Sequence, residues 1–344
     1  MSRGGRGSRA LRVLSRHLCS STGGIRYRPL HLPPLPTTPG GPPQLSERPF
    51  GLEMDIDLAA PLALHAAAEI RESLHRHGLL LFRRQSLTPQ RQIEVTEACW
   101  GPVEPHPLRS RPGLLGDRVL VMRNGGDSKA RGARNDFWHS DISNVERPPL
   151  VSVLHAIDVP EGKGDTLFVN MATWLASCRE ELQDSLESLA AVHSSASLVR
   201  RNSAEGVAAN TILAPPPAVT HPVVRSHPIT GERALYVNQF FTERFCGMNE
   251  RESAPLLAQL MASATRPERV YRHRWRGGDV LVWDNALLMH YAELDYEATD
   301  HRHMHRTTAA APGSSSSSSS SGDGRAGQRP SLVARAGGGS LLPI

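Results

Sequence analysis

Apolar and polar positions follow two rhythms along this chain. Ala63, Ala67, Ile70 and Leu74 recur at three- and four-residue spacing, which marks one face of a helix, and Gly78 supplies its stop. Leu79-Leu80-Leu81-Phe82 is an unbroken apolar run and reads as a buried strand. Thr88 before Pro89 is a helix start, because the hydroxyl can cap the first turn and proline fits the first helical position. That helix is expected to run to about Cys99. Strands are expected at Arg118–Met122, Leu150–Ile157, Ala234–Val237, Asp279–Trp283 and Arg306–Ala310, with Pro228-Ile229-Thr230-Gly231 as the turn before the third. Asn249 with Glu252 three residues on predicts a capped helix through about Ala264. No βαβ rhythm and no Gly-x-Gly-x-x-Gly occurs, which argues against a nucleotide-binding doubly wound sheet. Many short strands with few helices predict a mostly β fold, a barrel-like core braced by helices.

Composition changes this picture mainly at the two ends. The formal net charge is +5, yet the first acid in the chain is Glu47, and seven arginines precede it from Arg3 to Arg28. The body is therefore close to neutral, and the basic balance is no argument for nucleic acid. Met1 to Gly24 is Arg-rich and acid-free, with Leu11, Leu14 and Leu18 at helical spacing, which is how a mitochondrial transit peptide reads; a plastid address or a plain cytoplasmic tail are the alternatives. Residues 29–49 are Pro-rich, and 1–46 is read as leader and linker. Ser314 to Ser321 is an unbroken serine run inside a Ser/Gly-rich tail, 313–344, that lacks the apolar residues to order itself. The folded domain is expected over 47–312. No apolar run reaches the roughly 20 residues of a membrane span. Of four cysteines, Cys99, Cys178 and Cys246 fall in the body without any Cys-x-x-Cys pair, and are read as packed thiols rather than a disulfide framework.

The candidate chemistry lies in Trp138-His139-Ser140-Asp141 and, about 150 residues later, in Trp283-Asp284-Asn285 followed by His290. On a strand, residues i and i+2 point the same way, so His139 and Asp141 could reach one ion. Two imidazoles and one carboxylate leave the opposite face of a metal open, the usual ligand set of non-heme iron(II) oxygenases. Arg302 and Arg306 follow His290 by twelve and sixteen residues, and a guanidinium offers a planar fork to a carboxylate or sulfonate. Four residues apart on a straight strand they share a face; the plainer reading is a solvated basic surface, since His301, His303 and His305 are interleaved with them. Thr166, after Gly164-Asp165, supplies a hydroxyl that can bond an anion.

With these residues in place, the body from about Phe50 to Ala311 resembles the taurine dioxygenase family of iron(II)- and 2-oxoglutarate-dependent oxygenases, which includes the phenoxyacetate-degrading enzymes. His221-Pro222-Val223-Val224 and Arg233-Ala234-Leu235-Tyr236-Val237-Asn238 stand where that family has further signatures. The resemblance implies a double-stranded β-helix (jelly roll), with Fe(II) as metal and 2-oxoglutarate and O2 as co-substrates. It implies that His139, Asp141 and His290 hold the iron, and that Thr166 and Arg302 hold 2-oxoglutarate. Arg306, Asn135 and His106 would meet a small anionic substrate, taurine or another sulfonate, with aryloxyalkanoates and sulfate esters as alternatives. Two positions depart from the family: Arg109 replaces a tyrosine of taurine-specific members, which weakens taurine itself, and Lys163 replaces the first glycine of Gly-Gly-Asp-Thr. A non-catalytic jelly-roll binding protein, or a zinc hydrolase, would share much of this pattern. The oligomeric state, a homo-oligomer included, is left open by the sequence.

Overall fold

The computed structural model describes residues 25–32, 49–105, 115–124, 136–196, 216–297 and 299–310. Its main layer is a seven-stranded sheet. β1 (Arg26–Leu30) and β2 (Gly51–Asp55) pair antiparallel at one edge, and β2 runs parallel to β3 (Leu79–Phe82). β4 (Leu120–Asn124) closes the other edge; β5 (Val151–Asp158), β13 (Val280–Asp284) and β15 (Arg302–Ala309) fill the middle, in the order β1-β2-β3-β13-β5-β15-β4.

The period of two along the central strands divides the core. Leu79, Leu81, Leu154, Leu281, Trp283 and Met304 face the inside of the barrel, while Leu80, Phe82, Val153, Val280 and Val282 face two helices. α1 (Leu64–His77) buries Ala66, Ala67, Ile70 and Leu74 there. It ends where Gly78 turns left-handed, φ 76°, and donates its N–H to the Leu74 carbonyl at 2.6 Å. α2 (Pro89–Trp100) starts with the Thr88 hydroxyl accepting from the Arg91 N–H. Its Gln92 amide reaches the carbonyls of Val153 and His305, which fixes the helix on β5 and β15. Each fully buried Leu, Ile or Phe contributes about 1.5–3 kcal/mol of apolar transfer. Ile70 and Leu74 are wholly buried and anchor α1 on this layer.

The opposing layer is built from smaller sheets. β6 (Thr166–Asn170) pairs with β12 (Val270–His273) and β14 (Leu288–Ala292); β7 (Ala190–His193) pairs with β8 (Val219–Pro222) and β11 (Thr242–Phe245); β9 (Val224–Ser226) and β10 (Arg233–Leu235) make a hairpin. α3 (Met171–Ala176), α4 (Glu180–Glu187) and α5 (Glu250–Ala264) brace this side, α5 with the full Asn249/Glu252 capping box. Two layers, antiparallel except for the β2–β3 pair, enclose an apolar core and are braced by helices as the expected jelly roll.

The structure departs from the sequence reading in several places. β1 lies inside the span assigned to leader and linker, because Arg26–Leu30 completes the backbone hydrogen bonds of β2. β4 starts and ends two residues later than expected. β10 stops at Leu235, and β15 begins four residues early, at Arg302, since its whole length pairs with β5 and β4. Cys99 is buried, and burial pushes its thiol up to about 12, but Cys178 is half-buried and Cys246 exposed, so the three are not uniformly packed. No helix among the described residues is long and apolar enough to cross a membrane.

Candidate active site

The two halves of the sequence motif meet through the backbone. His139 N–H donates to the His290 carbonyl at 3.0 Å and His290 N–H returns to His139 at 2.8 Å, an isolated antiparallel bridge that sets the two rings 4.1 Å apart. Asp141 then sits in a turn rather than on a strand, so strand alternation is not what aims it. Ile142 at φ 52° bends the chain, and Asp141 Oδ1 comes to 3.9 Å from Nε2 of both histidines. His139, Asp141 and His290 are all buried.

Hydrogen bonds settle which atoms face the shared space. His139 Nδ1 donates to the Phe137 carbonyl at 2.7 Å, which leaves Nε2 as the bare ligand atom. Asp141 is held by a closed ring of partners. Its Oδ2 accepts from Ser152 Oγ at 2.7 Å, Ser152 Oγ accepts from Asn285 Nδ2 at 2.9 Å, and Asn285 Oδ1 accepts from the Asp141 N–H and from Trp283 Nε1. Oδ2 is thereby tied back and Oδ1 presented. Burial would raise the Asp141 carboxyl, but Arg306, whose Nη1 donates to Oδ1 at 2.8 Å, the two histidines and Ser152 outweigh it and hold the group ionised well below the usual range. Burial, with His139 beside it, pulls His290 down to about 3, and His139 is lowered by burial too. Two neutral imidazoles and an ionised carboxylate are the donor set a divalent iron needs. His290 Nδ1 is buried with no hydrogen-bond partner in the protein.

Thr166, at the start of β6, and Arg302, at the start of β15, border the same interior. Thr166 Oγ1 accepts from Trp275 Nε1 at 3.0 Å, which leaves its own proton to donate to an anion. Arg302 is buried, its Nε has no partner, and its guanidinium lies 5.6 Å from the Tyr296 ring centre. Gly164, at φ +69°, makes room for it: a Cβ there would stand 3.2 Å from Tyr296 and 3.3 Å from Arg302 Nε. A buried cation with an unpartnered Nε and a hydroxyl whose proton is unspent fit a dicarboxylate such as 2-oxoglutarate. When bound, iron(II) with 2-oxoglutarate supplies the oxidising chemistry; the chain's own residues bind, orient and keep water out.

The solvated-surface reading of the two arginines fails, because both are buried. They also divide in role: Arg302 faces Gly164 and Tyr296, and Arg306 faces Asp141. His106 and Asn135 lie outside the described residues. Ser152, Asn285, Trp275 and Tyr296 went unassigned in the sequence reading. Only Trp283-Asp284-Asn285 carried a signal for one of them, without saying what the asparagine does.

A second buried group, His75, His227 and Asp284, is also close enough to hold a metal, but its protons argue otherwise. His227 Nδ1 accepts from the N–H groups of Ile229 and Thr230, so the ring proton sits on Nε2 and is donated to Asp284 Oδ2 at 2.8 Å. Ligation through Nε2 would force a proton onto Nδ1, against two N–H donors. This group is a hydrogen-bonded clamp that fixes the loop between β13 and β14, and with it Asn285 and His290.

The model of the taurine catabolism dioxygenase TauD, TfdA family matches residues 36–308. An alpha-ketoglutarate-dependent sulfate ester dioxygenase from Pseudomonas putida is 35% identical over 267 residues, 75% of this chain and 83% of the relative. An alpha-ketoglutarate-dependent 2,4-dichlorophenoxyacetate dioxygenase from Cupriavidus pinatubonensis is 31% identical over 271 residues, 74% of this chain and 92% of the relative. The crystal structure of a taurine dioxygenase from Burkholderia xenovorans superposes with a TM-score of 0.64 at 27% identity, covering 83% of this chain and 91% of that one. The chain belongs to the taurine catabolism dioxygenase TauD, TfdA family, and is a dioxygenase dependent on iron(II), 2-oxoglutarate and O2.

Proposed function

We propose that the substrate is a small organic anion, a sulfonate or sulfate ester, hydroxylated at the carbon bearing the sulfur group. The observation that carries this reading is Arg306. Its buried guanidinium reaches Asp141 with Nη1, while its Nε has no partner, so donors beside the triad stay open to an anion. An aromatic wall adds to it. Phe240 and Phe241 lie 5.3 and 6.4 Å from the His139 ring, and Phe137 packs at a tilt against Phe240, 5.9 Å between ring centres. Such a wall suits a substrate with an apolar body, which favours alkyl sulfates and sulfonates over taurine, in line with Arg109. The names of relatives, a sulfate ester dioxygenase and an alkylsulfatase among them, support the same class.

Hydroxylation of R–CH2–SO3⁻ would consume one O2 and one 2-oxoglutarate and give succinate and CO2. The hydroxylated carbon then expels sulfite and leaves an aldehyde; an alkyl sulfate would expel sulfate instead. The test is O2 uptake and succinate formation with a panel of sulfonates, sulfate esters and aryloxy acids. Uptake with the first two classes and release of sulfite or sulfate is expected. Uptake confined to aryloxy acids, or with no member of the panel, rejects the proposal. The Arg-rich leader is proposed as a mitochondrial address, tested by imaging a fusion without residues 1–24; unchanged organelle targeting rejects it.

A further inference from the structure

His221-Pro222-Val223-Val224 and Arg233-Ala234-Leu235-Tyr236-Val237-Asn238 stand out in the sequence, yet they supply no ligand to the triad. They meet instead on the turn that begins with Asp141. Ile142 stands there at φ 52°. A β-branched residue is rarely left-handed, and such a conformation persists only where its surroundings hold it. Three side chains from other elements do so. His221 Nε2 lies 3.0 Å from the carbonyls of both Ser143 and Val145, so it carries the ring proton and donates to them. Asn238 Oδ1 accepts from the N–H groups of Phe240 and Phe241 at 3.1 and 2.8 Å, which fixes its amide nitrogen as the atom 3.0 Å from Ser143 Oγ. Ser143 Oγ therefore accepts from Asn238, and its own proton goes to His193 Nδ1, also at 3.0 Å. Burial keeps that imidazole neutral, at about 3, so Nδ1 has a lone pair to receive it.

Asn238 has a second task. Its oxygen shapes the turn that carries Phe240 and Phe241, whose rings lie 5.3 and 6.4 Å from that of His139. Its N–H donates to Thr242 Oγ1, and the Thr242 N–H returns to the Asn238 carbonyl, which closes the same turn. One amide thus holds the aromatic wall with its oxygen and the Asp141 turn with its nitrogen. Ser143 is 0% exposed and Asn238 2%, so these bonds do not compete with solvent.

We propose that Asn238 is a positioning residue that couples the two sides of the site: through Ser143 it ties the aromatic wall to the turn carrying Asp141, with His221 and His193 backing that turn. A metal that fixes Asp141 stiffens the wall, and a wall held in place favours the metal, because coupling between sites is reciprocal. The proposal rests on the triad as the metal site and not on the identity of the substrate.

Mn(II) titration and amide exchange followed by mass spectrometry, both on the full chain without substrate, test it. Mn(II) should slow exchange in the peptide holding Phe240 and Phe241 in the wild type, and should leave it unchanged in Ser143→Ala, where the tie is cut. Ser143→Ala and Asn238→Ala should each weaken Mn(II) binding by about tenfold, the lower end of what loss of an orienting partner causes. The double variant should lose no more than the larger single loss, because both remove the same bond. Affinities within twofold of wild type in both single variants overturn the proposal, as do losses that multiply in the double variant or equal protection of the wall in Ser143→Ala and wild type. A wild type that binds no Mn(II) overturns the triad itself, and this proposal with it. Should the alanine variants fail to fold, His221→Gln and His221→Leu decide. Glutamine keeps a donor where Nε2 stands and should bind Mn(II) as the wild type does, leucine should lose about tenfold, and equal affinities overturn the proposal.

Discussion

Replacing Ser152 by alanine tests whether the ring of hydrogen bonds around Asp141 sets the metal site. Ser152 is wholly buried and joins two partners: Oγ donates to Asp141 Oδ2 at 2.7 Å and accepts from Asn285 Nδ2 at 2.9 Å. Alanine removes a bond to a charged acceptor, worth about 1.5–3 kcal/mol, and leaves a buried amide donor unpaired, at a further cost of about 1–3 kcal/mol. No water can enter the space of one lost hydroxyl, so little of this is recovered. The metal-binding consequence is separate. With Oδ2 untied, the carboxylate can turn about its Cβ–Cγ bond, and Oδ1 is no longer held 3.9 Å from both Nε2 atoms. Loss of such an orienting partner typically weakens metal binding by about 10–100-fold. The assay is the dissociation constant for Mn(II) or Fe(II), measured on protein shown to be folded by circular dichroism, with the unfolding midpoint recorded beside it. A lower midpoint with metal affinity within twofold of wild type would refute the reasoning, because the ring would then be structural only.

Three other outcomes are expected. Gly164→Ala forces a left-handed alanine, about 1–2 kcal/mol, against Tyr296 and Arg302 Nε. That strain opposes folding and should lower the unfolding midpoint; displacement of Arg302 should in addition raise the KM for 2-oxoglutarate with a smaller change in kcat, and steady-state kinetics with an unchanged KM would count against the assigned role of Arg302. Trp275→Phe takes away the donor that orients the Thr166 hydroxyl, so 2-oxoglutarate affinity should fall several-fold by calorimetry while metal affinity stays as it was. His193 is held at about 3 by burial, with His221 and Arg225 adding to the effect. Its folded value is depressed, so the unfolded chain binds the extra proton: stability is full above about pH 6.5 and is lost as pH falls toward 3, by at most about 1.4 kcal/mol per pH unit. Other buried histidines, His290 and His305 among them, add slopes of the same sign, so urea midpoints at pH 7.5, 6 and 5 should fall more steeply than one group allows, and His193→Gln should reduce the slope by one histidine's share without abolishing it.

Much of the architecture was legible because it rests on local rules. Ala67, Ile70 and Leu74 with Gly78 specified α1, and Asn249 with Glu252 specified α5, since a helix carries its period and caps in consecutive residues. His139, Asp141 and His290 could be singled out because they stand at the signature positions of a known family, together with Gly164-Asp165-Thr166 and Arg302; a His-x-Asp by itself is common, and metal chemistry alone does not pick it out. Sequence alone could not place what depends on long-range pairing. β1 is a strand because the β2 edge offers it hydrogen bonds; the alternation of Arg26, Tyr27 and Arg28 is too short, and too close to Pro29, to announce it. Asp141 is aimed by Ser152 and Asn285, which lie 11 and 144 residues away. Arg302 and Arg306 look alike along the chain, and only the tertiary structure sets one beside Gly164 and Tyr296 and the other on Asp141. The physical reason is common to all three: residue type limits what a side chain can do, but its partner is chosen by strands brought together across the sheet.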